Sequence, residues 1–526
     1  MRISRIATGA VALGMTAVLI TACSSGDSSG GSSSGVVNAW AGEPQNPLIP
    51  TNTSENMGGR VLDSLFSGLV SYTADGGTEN EVAESIESTD GQNFTVKLKD
   101  GWTFTDGTPV TAKSFVDAWN YGALSTNAQL QASFFDPIKG YDEVAAEVPT
   151  AQTMSGLKVV DDSTFTIELK QPESAFPDRL GFTAYYPLPE VAFKDMTAFG
   201  ENPIGNGPYK LDGTGAWQHN VRIDTVVNPD YNGNRKPKNA GVDFIMYNSL
   251  DTAYTDLLAN NVDVLDQVPP SAVTTFESDL PGRTVNQPSA TIETFTIPGR
   301  LPHFSGEEGM LRRQAISMAI DRTALAGSIN LSGWVTTTRV VNSGLTGDNG
   351  TIGERWAGRS IEERRALATA RVAQWRSGSR AAPVLRIAIP TGPGGDILFA
   401  RFKADLASIG VEARRVASDA DADLRLIDAA ASYGTAQWFF NRLSCANQPA
   451  GCSPAADKLA GEALAEPDPA KQAELASQAE AQLTVANGYI PLGVPVRWSL
   501  VGGSVTGFAT NRLAVHPLMS LAMLPK

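Results

Sequence analysis

Residues 94–112 read FTVKLKDGWTFTDGTPVTA and predict two kinds of secondary structure. Apolar and polar residues alternate along this stretch, and two Asp-Gly pairs interrupt it, which is typical of antiparallel strands joined by tight turns. After the second turn, Thr111 can cap a helix that runs to about Leu124. Phe115 and Trp119 stand one turn apart in that helix, so we expect both rings to face the core.

Strand patterns of two kinds follow along the chain. Residues 157–169 contain two runs around Asp-Asp-Ser and predict a second hairpin. Residues 384–416 predict a strand, a helix over 397–409 and a strand, with a connection long enough for a parallel pair. Because both sheet types are present, the fold class is α/β. Further helices are predicted at Leu311–Leu325, after a Ser360/Glu363 capping box, and after the cap and first-turn proline at Asp468-Pro469.

The amino-terminal 35 residues predict an export signal and a membrane anchor. Two arginines precede an apolar stretch over 6–20, and small residues precede Cys23. An uncleaved membrane helix is the alternative, but this apolar stretch is too short to span a bilayer. We therefore expect a signal peptide over 1–22, then a lipidated cysteine and Gly/Ser tether over 23–35. The protein would be lipid-anchored on the extracytoplasmic face of the cell membrane, on the periplasm or cell-wall side.

Composition limits the partners and the redox state. The hydrophobic content of 42% supports packed cores in more than one domain. The formal net charge of −15 repels nucleic acid, which is not an expected partner. With Cys23 assigned to lipid, Cys445 and Cys452 remain, and outside the cytoplasm they are expected to form a disulfide. Metal binding is the alternative for this pair, but it needs further ligands, and neither a third cysteine nor a close histidine is present.

Catalytic motifs do not emerge from the sequence. The histidines, His219, His303 and His516, lack the His-Glu-x-x-His spacing of zinc hydrolases. The Gly-x-Ser-x-Gly match at 31–35 lies in the tether, without the strand and helix that a nucleophile elbow needs. The glycine-rich segments at 205–207 and 392–395 lack the rest of a nucleotide-binding signature. We therefore expect neither an enzyme nor a cofactor or metal site.

Six blocks, in order along nearly the whole mature chain, together match one family. They are EPQNPLIP (43–50), the opening stretch (94–112), NPIGNGPYKL (202–211), NPDY (228–231), LRRQAISMAIDR (311–322), and the closing stretch from Ala479 through YIPL (489–492). This set resembles the extracytoplasmic solute-binding proteins of peptide-type ABC importers, the oligopeptide- and dipeptide-binding family. The block at 94–112 is the most specific of the six.

The resemblance implies a two-lobed, periplasmic-binding-protein type II-like fold with an extra subdomain inserted in the first lobe. It also implies a function, in which a lipoprotein captures peptides in an interlobe cleft by hinge closure and delivers them to the permease subunits of an ABC transporter. We expect a monomer. The implied boundaries are 36–78, 197–287 and 501–526 for lobe I, 79–196 for the inserted subdomain, and 288–500 for lobe II.

One position departs from the family pattern. Residues 432–441 resemble a family segment in which an aspartate pairs with the amino terminus of the peptide, but Ser432 stands in its place. A serine cannot neutralise an ammonium group, so that bond is missing unless Asp428 or Asp423 supplies it. We therefore take Asp428 as the candidate anchor, with an ordinary surface or capping carboxylate as the alternative. A modified peptide, a glycan or a metal chelate then becomes an alternative solute.

Other candidate ligand contacts are weaker. Aromatic rings near the expected cleft could stack on a solute, but each ring taken singly more often belongs to the buried core. Polar residues after the first block could contact the solute or cap a turn. A non-transport envelope lipoprotein is a third reading of the chain, and it predicts no ligand-dependent closure. The candidates are Asn52, Thr53, Ser54, Trp334, Tyr433, Trp438 and Phe440.

Overall fold

The computed structural model describes residues 35–298, 301–330, 333–342, 345, 347–348, 350, 353–375, 383–391, 393–417, 421–431, 434–508, 510–511 and 518–524. The helices are α1 (Asn56–Leu65), α2 (Ala112–Ala123), α3 (Tyr141–Ala145), α4 (Met196–Glu201), α5 (Leu250–Leu258), α6 (Phe276–Asp279), α7 (Gly306–Ala319), α8 (Arg322–Ile329), α9 (Ile361–Trp375), α10 (Pro393–Ala407), α11 (Gln437–Leu443), α12 (Pro454–Ala465) and α13 (Pro469–Ala486).

The strands are β1 (Val36–Ala41), β2 (Val70–Tyr72), β3 (Thr78–Asn80), β4 (Ala83–Glu87), β5 (Asn93–Leu98), β6 (Leu157–Asp161), β7 (Thr164–Glu168), β8 (Tyr209–Leu211), β9 (Trp217–Gln218), β10 (Arg222–Val227), β11 (Gly241–Met246), β12 (Val264–Leu265), β13 (Thr284–Pro288), β14 (Thr291–Thr296), β15 (Val335–Thr336), β16 (Val384–Ala388), β17 (Glu412–Val416), β18 (Leu424–Ala430), β19 (Tyr489–Val494), β20 (Val496–Val501), β21 (Val505–Thr506) and β22 (Ala522–Met523). Among the described helices, none is long and apolar enough to cross a membrane.

An eight-stranded mixed sheet organises the part of the molecule that we call lobe I. Its strand order is β13-β20-β12-β1-β11-β10-β8, with β9 paired to β10. β1 lies in the middle and pairs in parallel with β11 and β12. Its buried side chains, such as Val37 and Ala39, pack on apolar residues of the following helices and strands. Lobe I is therefore assembled from segments far apart in the chain, as a fold with insertions requires.

A four-stranded antiparallel sheet, β4-β5-β7-β6, forms the inserted subdomain with α2. The expected hairpin over 157–169 is confirmed as β6 and β7. β5, by contrast, pairs with β4 and β7, and the segment after it forms only a tight turn closed by a Thr103–Pro109 bridge. Thr111 and Ser114 form the capping box of α2. Phe115 and Trp119 are fully buried there, as their spacing predicts.

A six-stranded sheet, β15-β19-β14-β18-β16-β17, defines what we call lobe II. The expected strand–helix–strand unit is confirmed, because β16 and β17 pair in parallel across α10. One face of the sheet is covered by an apolar cluster that includes Phe295, Phe402 and Leu424. The other face is covered by a second cluster that includes Ile292, Ala429 and Phe440. The central strands β14 and β19 are therefore buried on both faces over most of their length.

The expectation of one continuous helix over Leu311–Leu325 is wrong. The chain forms α7, leaves helical geometry at Ile320, and starts again as α8. Asp321 is the reason, because its side chain accepts a hydrogen bond from the Ala324 amide at 3.0 Å and caps the new helix. The caps predicted at Ser360/Glu363 and at Asp468 are confirmed by their hydrogen bonds to the first helical turns.

Two chain crossings join the sheets of lobes I and II. β13 of lobe I continues into β14 of lobe II through Ser289 and Ala290, and β19 of lobe II returns to β20 of lobe I through Pro495. The crossings lie side by side, since the Ser289 amide donates to the Pro495 carbonyl at 3.0 Å. β20 joins the sheet of lobe I although 288–500 were expected for lobe II, and the exact lobe boundaries stay a prediction.

Candidate functional site

A row of four residues crosses the sheet of lobe II close to the chain crossings. Thr336 of β15 pairs with Gly493 of β19, Gly493 pairs with Glu293 of β14, and Glu293 pairs with Asp428 of β18. Directly paired residues point to the same face of an antiparallel sheet, so these four share one face. We call them the cross-strand row.

The cross-strand row continues the face that carries Phe295 and Leu426, because residues two apart in a strand lie on the same side. Phe295 belongs to the apolar cluster on this face, and Leu426 packs against it. Asp428 is exposed and Glu293 is partly exposed. The helical cover of the sheet therefore ends before the row, and polar side chains begin there.

Trp334 lies on the cross-strand row. Its indole ring sits over Gly493, where an added Cβ would overlap the ring atoms Cζ2, Cη2 and Cε2. Glycine is thus required at this position for the ring to rest on the strand backbone. Trp334 is only 9% exposed, and its Nε1 has no hydrogen-bond partner among the described residues.

Both carboxyl groups of the row have raised pKa values, and the charge of Asp428 contributes to the shift of Glu293. Burial and the neighbouring charge of Asp428 raise the pKa of Glu293 to about 7. Asp428 has an exposed edge, but desolvation by the surrounding strands still raises its pKa, and the nearby Arg497 partly offsets that shift. The Oε1 atom of Glu293 is enclosed and has no partner in the described part of the chain. An ionised carboxylate that is enclosed and has no partner is energetically unfavourable, and a bound cation would stabilise it.

Arg497 of β20 is a positive group that acts on Asp428. It donates to the Thr291 hydroxyl at 3.4 Å. Its charge lowers the pKa of Asp428 without bringing that pKa back to its ordinary value. The row therefore combines two carboxylates with one guanidinium that acts on Asp428 from the strand leading into lobe I.

Asp423 does not serve as the alternative anchor. It lies at the other end of β18, is 4% exposed, and holds the Arg386 guanidinium through both carboxylate oxygens at 2.9 and 3.1 Å. It also accepts from the Arg386 amide at 2.8 Å. Because these bonds use its hydrogen-bonding capacity within the sheet, the expectation that Asp423 could reach a ligand is corrected.

Phe440 and Trp438 lie on α11 but differ in what they contact. Phe440 is 4% exposed within the second apolar cluster, so its expected role as a stacking surface is corrected to a core role. Trp438 is partly buried, with its ring against Phe439 and the Arg442 guanidinium 5.0 Å from its centroid. The Arg442 guanidinium therefore already makes a cation–π contact with the Trp438 ring.

The candidates after the first block also differ among themselves. Thr53 is 1% exposed, and its hydroxyl donates to the Ile49 carbonyl at 3.1 Å, so it closes a turn and its expected ligand contact is corrected. Asn52 is partly exposed, and its side-chain oxygen accepts from the Leu130 amide at 3.3 Å. Ser54 is exposed. Asn52 and Ser54 stay predictions as ligand contacts.

Three of the predicted site residues, Cys23, Ser432 and Tyr433, lie outside the described residues. The structure joins Cys445 and Cys452 by a disulfide, with their Cα atoms 4.9 Å apart. This separation is usual for a bonded pair. Within the described residues, no cluster of three or more His, Cys, Asp or Glu side chains could hold a metal ion.

The lobes also meet away from the crossings. The Ser174 amide of the inserted subdomain donates to the Leu464 carbonyl at the end of α12 at 2.9 Å. The Ser174 hydroxyl donates to the Ala465 carbonyl at 3.4 Å. Nearer the cross-strand row, a Cβ on Gly434 would lie 3.1 Å from the Gly76 carbonyl oxygen of lobe I. The segment that follows β18 therefore borders lobe I, which places the row at the boundary between lobes.

The glycine-rich segment at 205–207 is a packing motif. Asn206 is fully buried, and its side chain accepts from the Ser67 amide at 2.9 Å and donates to the Ser67 carbonyl at 3.1 Å. Side chains on Gly205 or Gly207 would overlap the Leu65 backbone. The turn interpretation made from the sequence thus has a structural basis in the end of α1.

Sequence reasoning did not single out Glu293 or Gly493. Glu293 lies in the alternating stretch TIETFT, where a lone glutamate indicates an exposed position. The signal that could have found it is that it is the only charged residue of this stretch, but its partner Asp428 is known only from the strand register.

Comparison with known proteins identifies the family. Residues 77–448 match the family described as bacterial extracellular solute-binding proteins, family 5. The oligopeptide-binding protein OppA of Bacillus subtilis (strain 168) is 30% identical over 241 residues, which covers 44% of this chain and 44% of OppA. The murein peptide-binding protein MppA of Escherichia coli (strain K12) is 27% identical, over 51% of this chain and 50% of MppA. The chain thus aligns with about half the length of these curated relatives.

Solved structures match over more of the chain and establish the two-lobed fold. The E. coli murein tripeptide-binding protein MppA superposes with a TM-score of 0.78 at 21% identity, over 93% of this chain and 98% of that one. The clavulanic acid biosynthesis oligopeptide binding protein 2 superposes with a TM-score of 0.81 at 18% identity, over 93% of this chain and 95% of that one.

Proposed function

The chain belongs to the bacterial extracellular solute-binding proteins of family 5, and from that premise we propose that it captures a peptide or peptide-like solute between its lobes. It then presents the solute to the permease subunits of an ABC importer. The proposal includes no catalytic step, because the polar groups that the structure describes at the lobe boundary include no nucleophile paired with a base.

The observation that carries the proposal is the paired crossing at 288–291 and 494–496. Two short connections joined by the Ser289–Pro495 hydrogen bond link sheets with separate apolar cores. Such an arrangement allows rigid bodies to rotate while few backbone torsions change. A solute that contacts both lobes would then favour the closed arrangement by its difference in affinity for the two states.

The experiment measures binding and closure together. Ligand-free protein, prepared by partial unfolding and refolding, is mixed with pools of tripeptides to pentapeptides. We expect a higher melting temperature and a smaller radius of gyration in X-ray scattering. A ligand at 100 times its Kd stabilises the native state by about 2.7 kcal/mol, which a thermal scan detects easily. If no pool raises the melting temperature or reduces the radius of gyration, peptide capture is overturned.

A non-peptide or modified solute is the second candidate. It is favoured by Ser432, which stands where the family's ammonium-binding aspartate is expected. A relative named as a probable deoxycholate-binding protein of E. coli is 27% identical over 54% of this chain, so family membership does not by itself select peptides. Native mass spectrometry of the freshly purified protein would weigh a co-purified solute and separate the two candidates.

Membrane anchoring through Cys23 is part of the same proposal. A lipid on this residue would keep the binding protein beside its permease, and the Gly/Ser segment would give it reach. We expect the full-length protein in the membrane fraction and a Cys23→Ser variant in the soluble extracytoplasmic fraction. An unchanged distribution of that variant would contradict lipid attachment at this cysteine.

A further inference from the structure

The cross-strand row has three properties that together point to one kind of ligand group. It presents the carboxylates of Glu293 and Asp428 on adjacent strands. It places the Trp334 ring on the bare backbone of Gly493, the residue that pairs with Glu293. It lies where the segment after β18 borders lobe I. A pair of acidic residues alone could be an ordinary surface feature, so the environment of each member decides the argument.

The first deciding observation is the unsatisfied state of Glu293. Its Oε1 is enclosed without a partner in the described part of the chain, although buried carboxylates normally pair with a cation or with several donors. The ion pairs elsewhere in lobe II follow that rule, since the buried Asp405 accepts from the guanidinium groups of Arg365 and Arg401. Glu293 is thus enclosed as an ion-paired carboxylate would be, but no cationic partner is present among the described residues.

The second deciding observation is the ring of Trp334, which does not depend on the carboxylates. It packs at the border of the apolar cluster and is 91% buried, yet its Nε1 lacks a partner among the described residues, and the ring atom Cε2, which is bonded to Nε1, lies over Gly493. Tryptophan is the best aromatic partner for a cation, and the attraction grows when water is excluded. An indole on the strand that pairs with Glu293 suits a cation that carries N–H donors.

We infer that Trp334, Glu293 and Asp428 form a binding site for one cationic group of the solute, an ammonium or a guanidinium. This inference rests on the proposed function and specifies its substrate class. The pair would supply the negative charge that Ser432 does not, from a strand register that the sequence pattern does not reveal. Arg497 acts on Asp428 from β20 and would favour a solute whose anionic part lies on that side.

The first arm of the test uses three probes in calorimetry at pH 7.5. Ala-Ala-Ala carries an amino-terminal ammonium, N-acetyl-Ala-Ala-Ala carries no cation, and N-acetyl-Ala-Lys-Ala carries only a side-chain ammonium. We expect at least tenfold tighter binding of one cationic peptide than of the uncharged one, and which one it is identifies the source of the cation. Equal affinities for all three would overturn the inference while leaving peptide capture intact.

The second arm uses variants that keep shape and remove charge. Glu293→Gln with Asp428→Asn should weaken the preferred cationic peptide at least tenfold and leave the acetylated peptide unchanged. Glu412→Gln is the matched control, because Glu412 is an exposed residue of the same sheet paired with Arg414, and it should change neither affinity. Loss of affinity for both peptides in the double variant would contradict a cation-specific role. Circular dichroism melting confirms that each variant is folded.

The third arm is a pH profile, which a purely structural glutamate would not produce. Charged groups acting on Glu293 and its partner are Asp428 on β18 and Arg497 on β20, and the pKa of Glu293 is about 7. If the cation binds the ionised form, affinity rises roughly twentyfold between pH 5.5 and 7.5. Glu293→Gln should flatten that rise, and a wild-type profile without it would refute the assignment of Glu293.

A last arm covers the case in which none of the three peptides binds. That result contradicts peptide capture, and the site is then probed with arginine amide alone, followed by tryptophan fluorescence. A saturable change in wild type that is at least tenfold weaker in the double variant supports the cation site. An identical response in both proteins overturns it.

Discussion

Replacing Glu293 by glutamine should make the ligand-free protein more stable at alkaline pH. The substitution keeps the shape of the side chain and removes a carboxylate whose pKa is raised to about 7 by burial and by Asp428. A carboxyl with a raised pKa holds its proton more tightly in the folded chain than in the unfolded one. The stability that the Glu293 proton contributes is therefore fully present below the unfolded pKa near 4.5 and is lost as pH rises through 7.

The size of the effect follows from the shift. Between the ordinary value of 4.5 and about 7, the difference is about 2.5 pKa units, and each unit corresponds to 1.36 kcal/mol. Wild type therefore loses about 3 kcal/mol between pH 4.5 and 8.5 through this one group, and the glutamine variant does not. Asp428 is present in both proteins, so its own titration largely cancels in the comparison.

Urea unfolding followed by tryptophan fluorescence measures this difference. Ligand-free wild type and variant are compared at pH 4.5, 6.5 and 8.5, and the free energy of the variant relative to wild type should rise by about 3 kcal/mol over that interval. Glu412→Gln serves as the exposed control and should show no comparable rise. A constant difference between Glu293→Gln and wild type at all three pH values would refute the reasoning.

Three further substitutions test other parts of the structure. Gly493→Ala should cost about 1–3 kcal/mol and alter the fluorescence of Trp334, because the new methyl group overlaps the indole ring; an unchanged melting temperature and spectrum would contradict that contact. Asn206→Ala should cost about 2–4 kcal/mol in urea unfolding, because it leaves buried backbone groups without partners; a cost under about 1 kcal/mol would be inconsistent with this role. The pKa of His219 is raised by its bond to Glu43, so His219→Gln should be slightly less stable than wild type at pH 5.5, with the gap closing by pH 8.5 as the histidine loses its proton. The difference should stay under about 1 kcal/mol because the ring is more than half exposed, and thermal melts at both pH values would show whether its sign is as expected.

Local signals predicted the inserted subdomain well. The Asp-Gly turns, the Thr111 cap and the one-turn spacing of Phe115 and Trp119 depend on neighbours within a few residues, and all three operate in the fold. The expectation of a single helix over Leu311–Leu325 was wrong, because the apolar periodicity gives no sign of the break at Asp321. An aspartate followed three residues later by an available amide is a cap signal, and it outweighed the propensity of the surrounding residues.

The site was only partly predictable, because its geometry depends on pairing between distant strands. Asp428 could be proposed from its closeness to Ser432 in the chain. Glu293 could not, since 134 residues separate it from Asp428 and only the register brings them together. Trp334 was found as an aromatic candidate, but its position depends on the absence of a side chain at Gly493.

The contact between Ser174 and the end of α12 has a consequence for how these molecules diverge. The last carbonyls of a helix lack hydrogen-bond partners within it, and here the Ser174 amide of the inserted subdomain donates to one of them. Water can take the same place if the lobes separate as proposed, so we expect this bond to add little to the stability of the closed arrangement. Because the donor is a backbone amide, every residue except proline can provide it. Under the proposed closure, this contact would therefore survive many changes of side chain at Ser174, while the residues that line the cleft could vary with the solute.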